Sequence, residues 1–344
     1  MLTKTWDIQI RDLNTSQAQT YLHEIAAALH AGAVIGMPTE TVYGLAADAR
    51  NDQAISRVFE AKGRPSDNPL IIHIHDESQL DAFTTHVDDK VRKLMARFWP
   101  GPLSIILPLK SGVLAQAATA GLKTVAVRMP SHEVARAVLK AANIPIAAPS
   151  ANTSGKPSPT DGHHVLDDLN GKIYGVINSD TSVVGLESTV IDCTSYPFRI
   201  VRPGAITKRD LEEVLKDSVT TDTANNAVPI SPGMKYKHYS PRQPVRVVEN
   251  WPDITPHIEQ EPRVIGVIAP NNMKQHIKDG VHFIGLCKDA YDYEEAARNL
   301  YRALRDMDNS NVEVIYLHGF VRNEESAALN DRIYRAAGNT IIEG

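Results

Sequence analysis

The sequence predicts an α/β protein of two domains, the first with α+β character, joined by an extended connector. Three observations carry that expectation. The 344 residues exceed the length over which one hydrophobic core usually keeps growing. Helical and strand-like apolar patterns alternate before about residue 208 and again after Pro244. Between them the chain loses any core period. The expected boundaries are a first domain over 1–210, a linker or lid over 211–243, and a second domain over 244–344.

Asn14 followed by Gln17 resembles a capping pair, and Ala18, Leu22, Ile25 and Leu29 then recur at helical spacing before Gly32. Ala33 to Met37 reads as a short buried strand. Asn51 is placed to cap a helix carrying Ile55, Val58 and Phe59 on one face and ending before Gly63. Leu70 to Ile74, Leu103 to Leu109 and Thr124 to Met129 read as strands. Ser131 should cap a helix with Val134, Ala135, Val138 and Leu139, followed by a strand over Pro145 to Ala148. A helical piece, Leu211 to Leu215, runs into TTDTANNAVPISPGMKYKHYSPRQP, whose Pro, Asn, Ser and Gly content suits a connector. Plain spacers rarely carry side chains such as Met234, Tyr236, His238 and Tyr239, so this connector is read as functional. Beyond it, Val245–Val248, Val264–Ile268, Val281–Leu286 and Val312–Leu317 are strand-like. Tyr293, Ala297, Leu300, Leu304 and Met307 make one helical stripe. This βαβ repetition implies a small parallel sheet covered by helices.

A net charge of −5 argues against wholesale wrapping of nucleic acid without excluding a local basic cleft, so direct RNA contact stays open. Cys193 and Cys287 alone cannot build a disulfide framework or a structural zinc site, and both are read as packing residues. No signal-length or 18-residue apolar run occurs, so a soluble cytoplasmic protein with no membrane partner is expected.

The chain has no P-loop, no G-x-G-x-x-G fingerprint and no H-E-x-x-H helix. His73 and His75 alternate on one strand, yet no carboxylate or cysteine pattern completes a metal site, and none is expected. What remains is a set of polar clusters just behind strand-like runs, where α/β sheets put ligands. PTETVYGLAAD (Pro38–Asp48) holds three hydroxyl residues and a glycine, with a helix cap as the alternative reading. AKGRPSDNPL (Ala61–Leu70) sets Lys62 and Arg64 beside Gly63 with Asn68 following. The helix dipole favours cations there, but a planar fork beside a point charge also suits a polyphosphate. APSANTSGKPSPT (Ala148–Thr160) carries Ser150, Asn152, Ser154 and Ser158 around glycine and prolines, a plausible anion-binding concavity. GLESTVID (Gly185–Asp192), RPGAI (Arg202–Ile206) and Arg128 complete the set. No nucleophile with an adjacent base emerges. Scattered Arg, Lys and hydroxyl groups suit nucleotidyl transfer, where a protein positions reactants and neutralises charge.

In this order PTETVYGL, KGRPSDNPL, the SANTSG run, GLESTV and RPGAI closely resemble the YrdC family of threonylcarbamoyl-AMP synthases. SPGMKYKHYSP followed by an α/β domain resembles the family's long, two-domain form. The resemblance implies a twisted sheet curved around an open cleft, then a Rossmann-like parallel domain. It implies formation of threonylcarbamoyl-AMP and pyrophosphate from L-threonine, bicarbonate or CO2, and ATP. Other enzymes then pass the group to an adenosine beside the tRNA anticodon. Residue by residue, ATP would meet Lys62, Arg64, Asn68, Thr124, Ser150, Asn152, Ser158, Arg202 and His238, with Lys62 and Arg64 stabilising the departing pyrophosphate. Threonine would meet Thr41, His73, Arg128, Ser188 and the backbone of Ala148, its carboxylate taken bidentately by Arg128. Mg2+ would arrive with ATP. Competing readings are an RNA-binding module without catalysis and a carbamoyl transferase of hydrogenase-maturation type.

Overall fold

The computed structural model describes residues 2–221, 238–249 and 258–342, which divide into two compact units. The first takes residues 2–154, 159–183 and 187–221. The second takes 155–158, 184–186, 238–249 and 258–342. Among the described residues no helix is long and apolar enough to cross a membrane.

The first unit is built on a mixed eleven-stranded sheet. Its strands are β1 (Lys4–Asp7), β2 (Ile35–Met37), β3 (Gly44–Asp48), β4 (Ile71–His73), β5 (Leu103–Pro108), β6 (Thr124–Arg128), β7 (Ile146–Ala147), β8 (Gly175–Asn178), β9 (Thr189–Asp192), β10 (Arg199–Arg202) and β11 (Thr220–Thr221). They lie in the order β1-β8-β2-β3-β7-β4-β6-β5-β9-β10-β11. Alternation splits the strand residues between two cores. Along β3, Leu45 and Ala47 enter one core while Ala46 enters the other. The helices Ser16–His30 and Glu133–Ala142 cover the second of these, burying Leu22, Ile25, Leu29, Val134, Val138 and Leu139. The helices Asp52–Lys62, Asp89–Phe98 and Lys208–Leu215 contribute Ile55, Val58, Leu94, Leu211 and Leu215 to the first.

The expected caps meet different fates. The Asn51 side chain does accept from Gln53 N and Ala54 N at 3.0 and 3.1 Å, and Gly63 closes that helix at φ +61°. Asn14 does not cap the first helix. Thr15 holds that place and its hydroxyl accepts from Ala18 N at 3.2 Å. Ser131 is not the cap of the Glu133 helix either, because His132 occupies the position without a side-chain cap bond. The connector also starts later than residue 211. Leu211, Leu215 and Val219 are buried in the first core, and Thr220–Thr221 adds a parallel strand beside β10. Strands β1, β8, β9, β10 and β11 were not expected from the sequence.

The second unit holds a five-stranded, wholly parallel sheet in the order β14-β13-β15-β12-β16, as the βαβ repetition required. The strands are β12 (Val245–Val248), β13 (Ile265–Ala269), β14 (His282–Gly285), β15 (Val314–His318) and β16 (Ile341–Ile342). Val248, Ile265, Val267, Ala269, Val314 and Tyr316 form its core. The helix Tyr293–Asp308 buries Leu300, Leu304 and Met307. Met234 and Tyr236 of the expected lid lie outside the described residues. Tyr239 is buried in this unit, its ring 5.4 Å from that of Tyr301 and 5.5 Å from the Arg332 guanidinium.

Candidate active site

On β6, Val125 and Val127 point into the larger core, so Thr124, Ala126 and Arg128 share the opposite face. The same alternation applies to Ile71 and His73 of β4 and to Ser104 and Ile106 of β5. Ile71, Ile106, Ala126 and Val190 make a small apolar floor on that face, with Val201 packed against it. The polar residues stand around this floor. Parallel pairing of β4 with β6 sets His73 directly opposite Arg128.

Arg128 is 4% exposed and held on three sides. Its Nε donates to Gly101 O at 3.2 Å and its Nη1 to Thr41 Oγ1 at 2.8 Å, while Nη2 lies 2.6 Å from Glu40 Oε1. Nη2 has no exposed surface. Of the five guanidinium N–H groups, one on Nε and one on Nη1 are hydrogen-bonded and Nη2 is ion-paired, so one N–H on each of Nη1 and Nη2 is left over. Thr41 is fixed in turn by a 2.9 Å bond between its hydroxyl and that of Thr39. Burial pushes the Glu40 carboxyl up, and the adjacent Arg128 charge more than offsets this, holding it below the usual carboxylate range. His73 is buried, and burial, then the Arg128 charge, lower it to about 3. Its Nδ1 lies 3.2 Å from Ile71 O. A carbonyl only accepts, so the proton sits on Nδ1 and Nε2 keeps a lone pair.

The second gathering joins the AKGRPSDNPL and APSANTSGKPSPT motifs. Lys62, at the last turn of its helix, is 3% exposed, and its Nζ donates to Ser150 O and, at 2.9 Å, to Asn152 O. Ser154 N returns a 2.8 Å bond to Lys62 O. The left-handed Gly63 turns the chain so that Arg64 N bonds Phe59 O at 3.0 Å, and Arg64 follows with its side chain buried. Asn68 is fully buried just ahead of β4. The PTETVYGL segment lies against the serine-rich one, with Leu45 N bonded to Pro149 O at 2.6 Å and Ala151 N to Tyr43 O at 2.9 Å. Ala148 N bonds Ile71 O at 3.1 Å, tying it to β4.

The third gathering joins GLESTV to RPGAI. A bulge between Ile200 and Arg202 breaks the alternation of β10, and the Arg202 fork reaches Ser188, with Nε and Nη2 on its carbonyl at 3.1 and 2.9 Å and Nη2 on its hydroxyl at 3.0 Å. Ser104 Oγ lies 2.7 Å from Ser188 Oγ. An expected ATP contact thus touches an expected threonine contact. Thr124 stands at the far end of β6 from Arg128, about 13 Å away by strand rise. Ser158 and His238 belong to the second unit, the one buried and the other half-buried. Sequence reading missed Glu40, Ser104 and His132. A lone acid between two threonines in an otherwise uncharged run was the available signal for Glu40.

A family model described as "Telomere recombination" (Sua5_yciO_yrdC) matches residues 27–204, and one described as "Threonylcarbamoyl-AMP synthase, C-terminal domain" matches residues 206–338. The chain is 42% identical to the threonylcarbamoyl-AMP synthase of Bacillus subtilis, over 99% of this chain and 100% of that protein. The chain belongs to the threonylcarbamoyl-AMP synthase family. The Pyrococcus abyssi member is 41% identical over 92% of this chain and 94% of its own length. A crystal structure of P. abyssi Sua5 complexed with L-threonine superposes with a TM-score of 0.89 at 37% identity, covering 99% of both chains.

The buried titratable groups of this family member make its stability fall on acidification. Burial lowers His132, and lowers His318 of the second unit to about 4. As pH drops below about 6.5 the unfolded histidines take up protons that folded His73, His132 and His318 resist. The depressed Glu40 acts in the same direction at lower pH, its stabilisation present above the unfolded carboxyl value and lost as it protonates. The midpoint of thermal unfolding should therefore be several degrees lower at pH 5 than at pH 7.5. A higher midpoint at pH 5 would contradict these burial assignments.

Proposed function

We propose that the chain forms L-threonylcarbamoyl-AMP and pyrophosphate from L-threonine, bicarbonate or CO2, and ATP. The observation that carries this reading is near-full-length identity, across both units, with threonylcarbamoyl-AMP synthases. The threonine amine adds to CO2, losing a proton to give a carbamate. A carbamate oxygen then attacks the α-phosphorus, and the bond from that phosphorus to the bridging oxygen breaks as pyrophosphate leaves. Threonine's carboxylate would pair with the Arg128 guanidinium, with the Thr41 and Ser188 hydroxyls, His73 and the Ala148 backbone around the rest. Neutral His73 can accept from the substrate hydroxyl or amine without adding charge.

Lys62 and Arg64 would offset the charge developing on the leaving pyrophosphate. Asn68, Thr124, Ser150, Asn152 and Arg202 of the first unit would be further ATP contacts in this reading. Mg2+ would enter with ATP. The product serves tRNA modification, taken up by separate enzymes that transfer the threonylcarbamoyl group. Pyrophosphate release, measured with threonine, bicarbonate and ATP omitted in turn, should fall to background in each case. Sustained release without threonine would overturn the assignment.

A further inference from the structure

We infer that Glu40 is the positioning residue of the amino-acid pocket, holding the Arg128 guanidinium in the orientation that leaves its remaining N–H groups for a carboxylate. The inference rests on the reading of Arg128 as the carboxylate contact. Glu40 is 4% exposed and neither of its carboxyl oxygens has exposed surface, so it acts through Arg128 and not by touching substrate. The dipeptide Glu40–Thr41 brackets the guanidinium, one residue on Nη2 and the next on Nη1, while Gly101 O takes Nε. With Nε bonded to Gly101 O and Nη2 ion-paired with Glu40, rotation about the last side-chain bond is blocked. The carboxylate also offsets the charge of a guanidinium that is itself buried, which a buried cation requires. The pocket is then close to neutral before substrate arrives. It selects by the direction of the remaining N–H groups and not by attracting any anion, including the pyrophosphate that must leave.

The test is steady-state kinetics of the full chain with Glu40→Gln, Glu40→Asp, Arg128→Lys and the double variant Glu40→Gln/Arg128→Lys. Glu40→Gln should raise the KM for threonine about 10-fold or more, leaving the KM for ATP within about twofold and kcat at saturating threonine within about threefold. Glu40→Asp keeps the charge but shortens the reach, so it should fold even if Glu40→Gln does not, and should raise the threonine KM by a smaller factor. The double variant should be no worse than Arg128→Lys alone, because both act through one guanidinium. If Arg128→Lys raises the threonine KM while both Glu40 variants leave it unchanged, the positioning role is overturned and the reading of Arg128 stands. If Arg128→Lys leaves it unchanged, that reading fails first. Equal rises in both KM values would mark Glu40 as a structural residue only and overturn the inference.

Discussion

Lys62→Met is expected to lower pyrophosphate release at saturating ATP by about 100- to 1,000-fold, the size of loss seen when one preorganised charge-stabilising group is removed. Methionine fills nearly the same volume, so packing at the end of the Asp52–Lys62 helix should survive. What disappears is an ammonium pinned by the carbonyls of Ser150 and Asn152, which fix its place relative to the serine-rich loop. The same bonds tie that loop down, so the variant should also raise the KM for ATP. Near-native turnover in a folded Lys62→Met protein, by a coupled pyrophosphate assay, would remove Lys62 from the chemistry.

The second large effect is on the fold. A Cβ added at Gly204 would stand 2.2 Å from Thr189 N, 2.6 Å from Ser188 C and 2.8 Å from Glu187 O. All three are backbone atoms, so no rotamer change relieves the clash. The RPGAI loop lies flat on this segment, with the Thr189 hydroxyl donating to Ile206 O at 2.7 Å and accepting from Ile206 N at 3.0 Å. Gly204→Ala must lift the loop away, which should cost about 3 kcal/mol or more and lower Tm by roughly 6 °C or more. Ser188 would lose its register with Arg202 at the same time, so activity should fall even at temperatures where the variant is folded. An unchanged Tm would mean that this close packing is wrong.

Much of this architecture was legible because burial leaves periodic traces. The Ser16–His30 helix and the parallel second sheet announced themselves through apolar spacing, and Asn51 and Gly63 through their capping chemistry. Strand β1 left no such trace, since Lys4–Asp7 carries Trp6 as its single large apolar side chain. Site motifs were visible as clusters of unlike polar residues behind strands, but their convergence was not. Strand order decides it: β4 beside β6 brings His73 to Arg128, and β5 beside β9 brings Ser104 to Ser188. Glu40 stood out as the lone acid of the PTETVYGL motif, but that signal names no partner. Its meaning depends on a guanidinium 88 positions later in the chain.

The claim beneath all of this is that these separate motifs hold an amino acid and a nucleotide side by side on the β4–β6 face. A crystal structure of the chain with L-threonine and a non-hydrolysable ATP analogue tests it most directly. The threonine carboxylate is expected within hydrogen-bonding distance of the Arg128 guanidinium, and phosphate oxygens against Lys62, Arg64 and the Ser150–Asn152 segment. Threonine bound away from Arg128, or phosphates contacting none of those residues, would contradict it.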